Sequence, residues 1–337
     1  MTRTTPPRPV DIEAAFPELR SHRRDCTRLH PRPGSPKVTD SSVGGPLLWP
    51  ADEPWPTCQE PHPRDRGRTV DDIHEWRRTL TEAWRRSPNS GPTPEELQHL
   101  SALEQEHHVP GMSDTYPVPL LPLAQLFARD VPGLAGPMGA DVLQVLWCPF
   151  SAHGDLATPG IHLKWRNSSE IGDPLAEPPL TAVVGDDEYV PEPCVLHPES
   201  ATEHEYIGLL DGDLQERVYR WEDGQAETDD FEGDEPPRYQ TDLSTAPGWK
   251  LGGYATWETS GPYQVVCTCG SPMKPLLAIA STEWEDETLS WVPVEDQHLR
   301  DEPEANTPTR VSVGRDGSLT VFACPADPTH AHRITLQ

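Results

Sequence analysis

Cys267 and Cys269 stand two residues apart, and Cys324, His330 and His332 follow a later β-forming stretch. Thiolate and imidazole are donors that zinc favours, and two positions apart on a strand would put both thiols on one face. Four protein donors leave no position for water, so zinc held by these residues would be structural. A one-residue gap between cysteines is less typical of zinc sites than a two-residue gap. It favours the competing reading of buried reduced thiols beside surface imidazoles. No other cofactor is expected. Cys148, between Trp147 and Pro149, reads as core, and His197 and His204 as loop imidazoles among solvated neighbours, because neither fits His-Glu-x-x-His spacing. No Gly-x-Ser-x-Gly element supplies a nucleophile and no Gly-rich phosphate loop is present. No catalytic residue is predicted, and the chain reads as a non-enzyme.

The elements that must position these residues occur twice. Ser42-Val43-Gly44-Gly45 precedes Trp49 by the same step that separates Lys250-Leu251-Gly252-Gly253 from Trp257. In each copy a cysteine follows, Cys58 or Cys267, and then a Pro-Leu-Leu run, Pro119-Leu120-Leu121 or Pro275-Leu276-Leu277. Such self-similarity predicts a duplicated fold. A Gly pair allows a tight turn beneath an aromatic ring, since Gly reaches positive φ without steric cost. Gly44, Gly45, Trp49, Trp55, Trp249, Gly252, Gly253 and Trp257 are therefore the candidate binding residues. Packing is the competing role, above all for Trp49 and Trp257.

With 34% hydrophobic residues, 41 Pro and 24 Gly, much of the 337-residue chain must be turns and connections, so short strands should outnumber helices. The net charge of −28 disfavours nucleic acid, which needs Lys and Arg to displace counterions, and suits a basic partner. No run of about 20 apolar residues offers a membrane span, and the first residues lack a secretory pattern, so a cytoplasmic location is expected. Seven scattered cysteines suit reduced thiols or metal better than disulfides.

Along the chain, residues 1–40 are expected to form a partly ordered surface segment. Residues 41–221 form the first repeat half, interrupted at about 61–111 by a helical hairpin. Ile73, Trp76, Leu80 and Trp84 lie at helical spacing, and Thr93-Pro94-Glu95-Glu96 starts a second helix. An acidic loop over 222–241 precedes the second half, 242–337. Strands are expected at 120–127, 142–150, 161–165, 181–184, 206–210, 263–268, 275–282, 319–323 and 334–336, with a short helix at 214–221. The fold class is α+β and β-rich: duplicated, pseudo-symmetric sheets with an inserted helical hairpin.

At Ser42 to Gly45 with Trp49-Pro50, Leu121 to Leu126, Trp249 to Trp257, Cys267 to Met273 and Val321 to Pro325 the chain resembles the YwqG-like bacterial family of unknown function. That family is related to eukaryotic proteins of the programmed-cell-death-protein-two type, and the shared Lys-x-Gly-Gly-x-x-x-Trp element spans Lys250 to Trp257. The resemblance implies a duplicated β-rich fold, and through the eukaryotic relatives a chaperone-like protein that holds a basic protein. The expected function is thus non-enzymatic binding of a basic protein or peptide in a cleft between the halves, rimmed by acidic residues. Neutralisation of a toxin domain by an immunity-type protein is the alternative, and a metal-dependent enzyme the third.

Overall fold

The repeat in the sequence is a repeat of sheets. The computed structural model describes residues 2–154, 158–227 and 236–337. Among these residues one six-stranded sheet runs in the order Ile161–Arg166, Val142–Trp147, Leu121–Phe127, Ser42–Val43, Cys194–Val195, Arg32–Pro33. The other runs Arg333–Leu336, Ser318–Ala323, Lys274–Ala280, Lys250–Gly252, Arg23–Arg28, Glu199–His204. The α+β, β-rich class with its inserted helical hairpin is as expected.

Register makes the equivalence residue-specific. Val43 pairs with Ala124, and Leu251 with Leu277. Each of those partners follows a bulge, Pro122/Ala124 in one sheet and Pro275/Leu277 in the other. Pro275 therefore corresponds to Pro122, not to Pro119 as the Pro-Leu-Leu match suggests. Gly44 corresponds to Gly252, both at left-handed φ of 64° and 70°.

The first forty residues do not form a separate surface segment. Arg23–Arg28 pairs antiparallel with Glu199–His204 in the second sheet, and Arg32–Pro33 with Cys194–Val195 in the first. The pairs Arg28 to Glu199 and Arg32 to Val195 are four residues apart on both segments, so one two-stranded ribbon crosses both sheets without a register slip. Each sheet thus contains strands from outside its own repeat half. One hydrophobic core joins the sheets: Leu123, Leu126, Val145 and Trp147 of the first pack with Leu277, Ile279, Leu319 and Val321 of the second. A smaller cluster seats the helix Ile12–Ala15 against Ile207, Leu214 and Tyr239.

The helical hairpin comprises Val70–Arg86 and Pro94–Leu103. Thr93 and Glu96 form a reciprocal capping box at the second helix. Ile73 is buried and Trp84 is half exposed, so only part of the apolar stripe packs. The helix expected at 214–221 is longer, Gly212–Glu227, and the predicted acidic loop falls partly on 228–235, outside the described residues. Residues 206–210 form a turn of 3₁₀ helix around Ile207–Leu209, while 181–184 contribute an isolated bridge between Arg68 and Val184. The 263–268 stretch likewise makes one bridge, Val266 to Pro272, since its chain turns back at once.

Candidate metal centres

Cys267, Cys269, Cys324 and His330 converge, with their ligand atoms all within 4.8 Å of one another. Cys324 directly follows the strand Ser318–Ala323. Cys267 and Cys269 lie in a tight turn rather than on a strand. The Gly270 N–H donates to the Cys267 carbonyl at 2.9 Å, and Gly270 takes a φ of 87°. Turn geometry, and not strand alternation, aligns the two thiols. Sγ of Cys269 lies 3.6 Å from Sγ of Cys324, and Sγ of Cys267 lies 3.5 Å from Nδ1 of His330. A tetrahedral ion with bonds of about 2.0–2.3 Å has ligand–ligand edges of about 3.3–3.8 Å. The other His330 nitrogen faces Asp327 at 3.8 Å, where a carboxylate can fix the ring. The backbone N–H of Cys269 holds the Cys267 thiol below its ordinary pKa, and Ser271 draws Cys269 down to about 6. His332 is not in the set. It lines a groove near His162; burial and then the His162 charge lower its pKa.

A second convergence, at Cys58, His62, Cys148 and His153, joins four buried side chains with ligand atoms again within 4.8 Å. Sγ of Cys58 is 3.2 Å from Nε2 of His153 and 3.4 Å from Nε2 of His62, which lies 3.5 Å from Sγ of Cys148. Hydrogen bonding from the Cys148 thiol, then from His153 and His62, pulls Cys58 far below the usual thiol range. The same Cys58 contact and burial push Cys148 up. Between Trp147 and Pro149, Cys148 reads as core in the sequence, and nothing local to it announces this set. The available signal was the repeat itself: Cys148 and Cys324 each directly follow the matching strand, with a histidine five or six residues on.

Three of the candidate binding residues are packing residues. Trp49, Trp249 and Trp257 are each at most 5% exposed. Trp49 meets Trp55 at 5.0 Å between ring centroids, as Trp257 meets Tyr263 at 5.2 Å, so one aromatic pair recurs in both halves. Trp55 is tied by its indole N–H to the Leu120 carbonyl. A Cβ on Gly45 would lie 2.5 Å from Oγ of Ser42, and one on Gly253 would lie 2.2 Å from Oε2 of Glu203. A side chain at Gly44 or Gly45 would meet Glu192, Pro191, Pro36 and Ser42, and one at Gly253 would meet Glu203 and Cys26, so these three glycines serve close packing. His204 is also structural, contacting the Leu243 carbonyl and Glu13.

The larger open space between the halves is elsewhere. A groove of about 750 Å³ has the strand Ile161–Arg166 along one side, with Met138, and Leu276 and residues 328–332 along the other. It shares Trp165, Arg166, Asn167 and Glu170 with an adjoining hollow of about 880 Å³ that is edged by Asp52, Glu53 and Asp173. Lys164 and Arg166 are both paired with Glu53, at 2.9 and 2.6 Å. Acidic groups thus gather at one end of the groove instead of surrounding it.

No family model matches the chain, and no curated protein matches it. No helix among the described residues is long and apolar enough to cross a membrane.

Proposed function

We propose that this protein is a non-enzymatic binding protein that holds an extended segment of a basic protein or peptide in the groove between its halves. Structural zinc at Cys267, Cys269, Cys324 and His330 would fix one groove wall. The observation that carries the reading is the composition of that groove. Ile161–Arg166 is an edge strand of its sheet, so its outer backbone groups are available to an added strand. Exposed Asp52, Glu170 and Asp173 lie where cationic side chains of such a strand would reach, while Lys164 and Arg166 share the carboxylate of Glu53, which offsets one of their two charges. His330 belongs both to the thiol cluster and to the groove lining, which couples the metal centre to the wall. Four protein donors favour a structural ion over a catalytic one, which needs an open position.

The test is fluorescence anisotropy with a labelled Lys/Arg-rich peptide and its charge-inverted counterpart, using wild type and the Asp52→Asn/Glu170→Gln/Asp173→Asn triple variant. The basic peptide should bind in a salt-sensitive manner and lose about tenfold in affinity, about 1.4 kcal/mol, in the triple variant. Equal affinity for both peptides, or no effect of the triple variant, rejects the reading. A chaperone-like role predicts many basic client sequences, and the immunity-type alternative a single tight partner.

A further inference from the structure

The buried cluster in the first half stands where the repeat places the thiol cluster of the second. Trp147 pairs with Leu121, one residue before Pro122, and Ala323 pairs with Lys274, one residue before Pro275. The next residues along the chain, just past each strand, are Cys148 and Cys324. Cys58 follows its aromatic pair by three residues and Cys267 by four, and His153 and His330 follow Cys148 and Cys324. Only the fourth donor differs in kind: His62 in the first half and Cys269 in the second.

We infer that the first half carries its own zinc site, formed by Cys58, His62, Cys148 and His153, so that each half of the duplicated fold is closed by one ion. The separations of 3.2–3.5 Å among these sulfur and nitrogen atoms are near the edge lengths of a tetrahedron around zinc. Nδ1 of His62 lies 3.1 Å from the Pro63 carbonyl, so a proton there leaves the Nε2 lone pair directed at the two sulfurs. Nδ1 of His153 is buried without a hydrogen-bond partner, and its ring fits only because residue 160 is Gly: a Cβ there would lie 2.9 Å from Cδ2. The loop that supplies Cys58 and His62 is held from within by Arg64. Its buried guanidinium donates to the carbonyls of Cys58, Glu60, His62 and Tyr116.

Charge separates the two sites in a way that matches their surroundings. Two thiolates and two neutral imidazoles around Zn²⁺ sum to zero, whereas three thiolates and one imidazole leave one negative charge. The neutral set is the one in which all four residues are buried, and the anionic set includes exposed Cys269. Burying a net charge is costly, so each donor set suits its depth. The first site should therefore exchange its ion slowly and the second quickly.

The experiment measures zinc per chain by mass spectrometry of the intact native protein, followed by release to a chromogenic chelator. Two equivalents are expected, leaving in a fast and a slow phase of equal amplitude. Cys58→Ser/Cys148→Ser should retain one equivalent with only the fast phase, and Cys267→Ser/Cys269→Ser one with only the slow phase. Should the first variant misfold, alkylation of the wild-type protein decides. Cys58 and Cys148 should resist a thiol reagent at least tenfold longer with zinc than after stripping and return to metal-free buffer. A single equivalent lost in the second-half variant, with Cys58 and Cys148 equally reactive with and without zinc, overturns this site while leaving the second-half site intact. Two equivalents unaffected by Cys58→Ser/Cys148→Ser overturn it as well.

Discussion

Lys250 and Glu203 form an ion pair in which neither side chain is more than 2% exposed. Glu203 also accepts from the backbone N–H groups of Ala246 and Tyr254, each at 2.8 Å, so one carboxylate holds both sides of the Gly252-Gly253 turn. The equivalent position in the first half is Ser42, so the pair is an addition to the shared scaffold.

Lys250→Met should cost about 3–5 kcal/mol, because it leaves a buried carboxylate without its cation. Lys250→Met combined with Glu203→Gln should cost much less than the two single changes together. Urea unfolding of the four proteins gives the coupling energy, and additive costs would show that the two groups act independently.

Gly253→Ala should destabilise by roughly 2–5 kcal/mol, combining left-handed backbone with a forced contact. Its φ is 70°, and the new Cβ would lie 2.2 Å from Glu203 and 2.8 Å from Cβ of Cys26. Gly111→Ala is the control: at φ 83° with nothing within 4 Å, it should cost only about 1–2 kcal/mol. Equal thermal shifts for the two would refute the packing argument.

On the proposed reading, stripping metal should loosen residues 324–332 and weaken binding of the basic peptide together, since His330 belongs both to the thiol cluster and to the groove wall. Hydrogen exchange before and after chelation should show faster exchange there, restored by added zinc. An unchanged pattern would disconnect the groove from the metal centre.

Glu53 is held down to about 2, chiefly by the hydrogen bond from Arg166 and further by Lys164, against a burial effect that raises it. A carboxylate depressed on folding contributes stability that is fully present above its unfolded pKa of about 4.3 and disappears as pH falls through the folded value. With the pair partly solvent-screened, Glu53→Gln should cost roughly 1 kcal/mol at pH 7. Thermal melts of wild type and variant should converge between about pH 4 and pH 2. A gap that persists at the lower pH would assign the effect to packing.

The helical hairpin was legible because its signals are local. A Thr-Pro-Glu-Glu start and an apolar stripe act within a few residues. The strands at 142–147 and 161–166 were likewise carried by apolar runs and alternation. Residues 181–184 and 206–210 are also largely apolar, but lie in connections where no partner strand pairs along their length. The N-terminal forty residues misled for the opposite reason. Arg23–Arg28 looks solvated, and only its position between two strands of the second sheet gives its backbone partners.

The duplication, the paired glycines, the caps of the inserted helices and the donor types at Cys267, Cys269, Cys324 and His330 follow from the amino-acid sequence alone. Each depends on short-range conformational preference or side-chain chemistry. Tertiary structure decided which donors meet. Cys58 reaches His153 across 95 positions and Cys148 reaches His62 across 86, brought together by sheet register, which no local pattern encodes. It also decided that the tryptophans fill the core while the opening between the halves falls at an edge strand. Those outcomes depend on how two sheets share one core, a property of the whole chain.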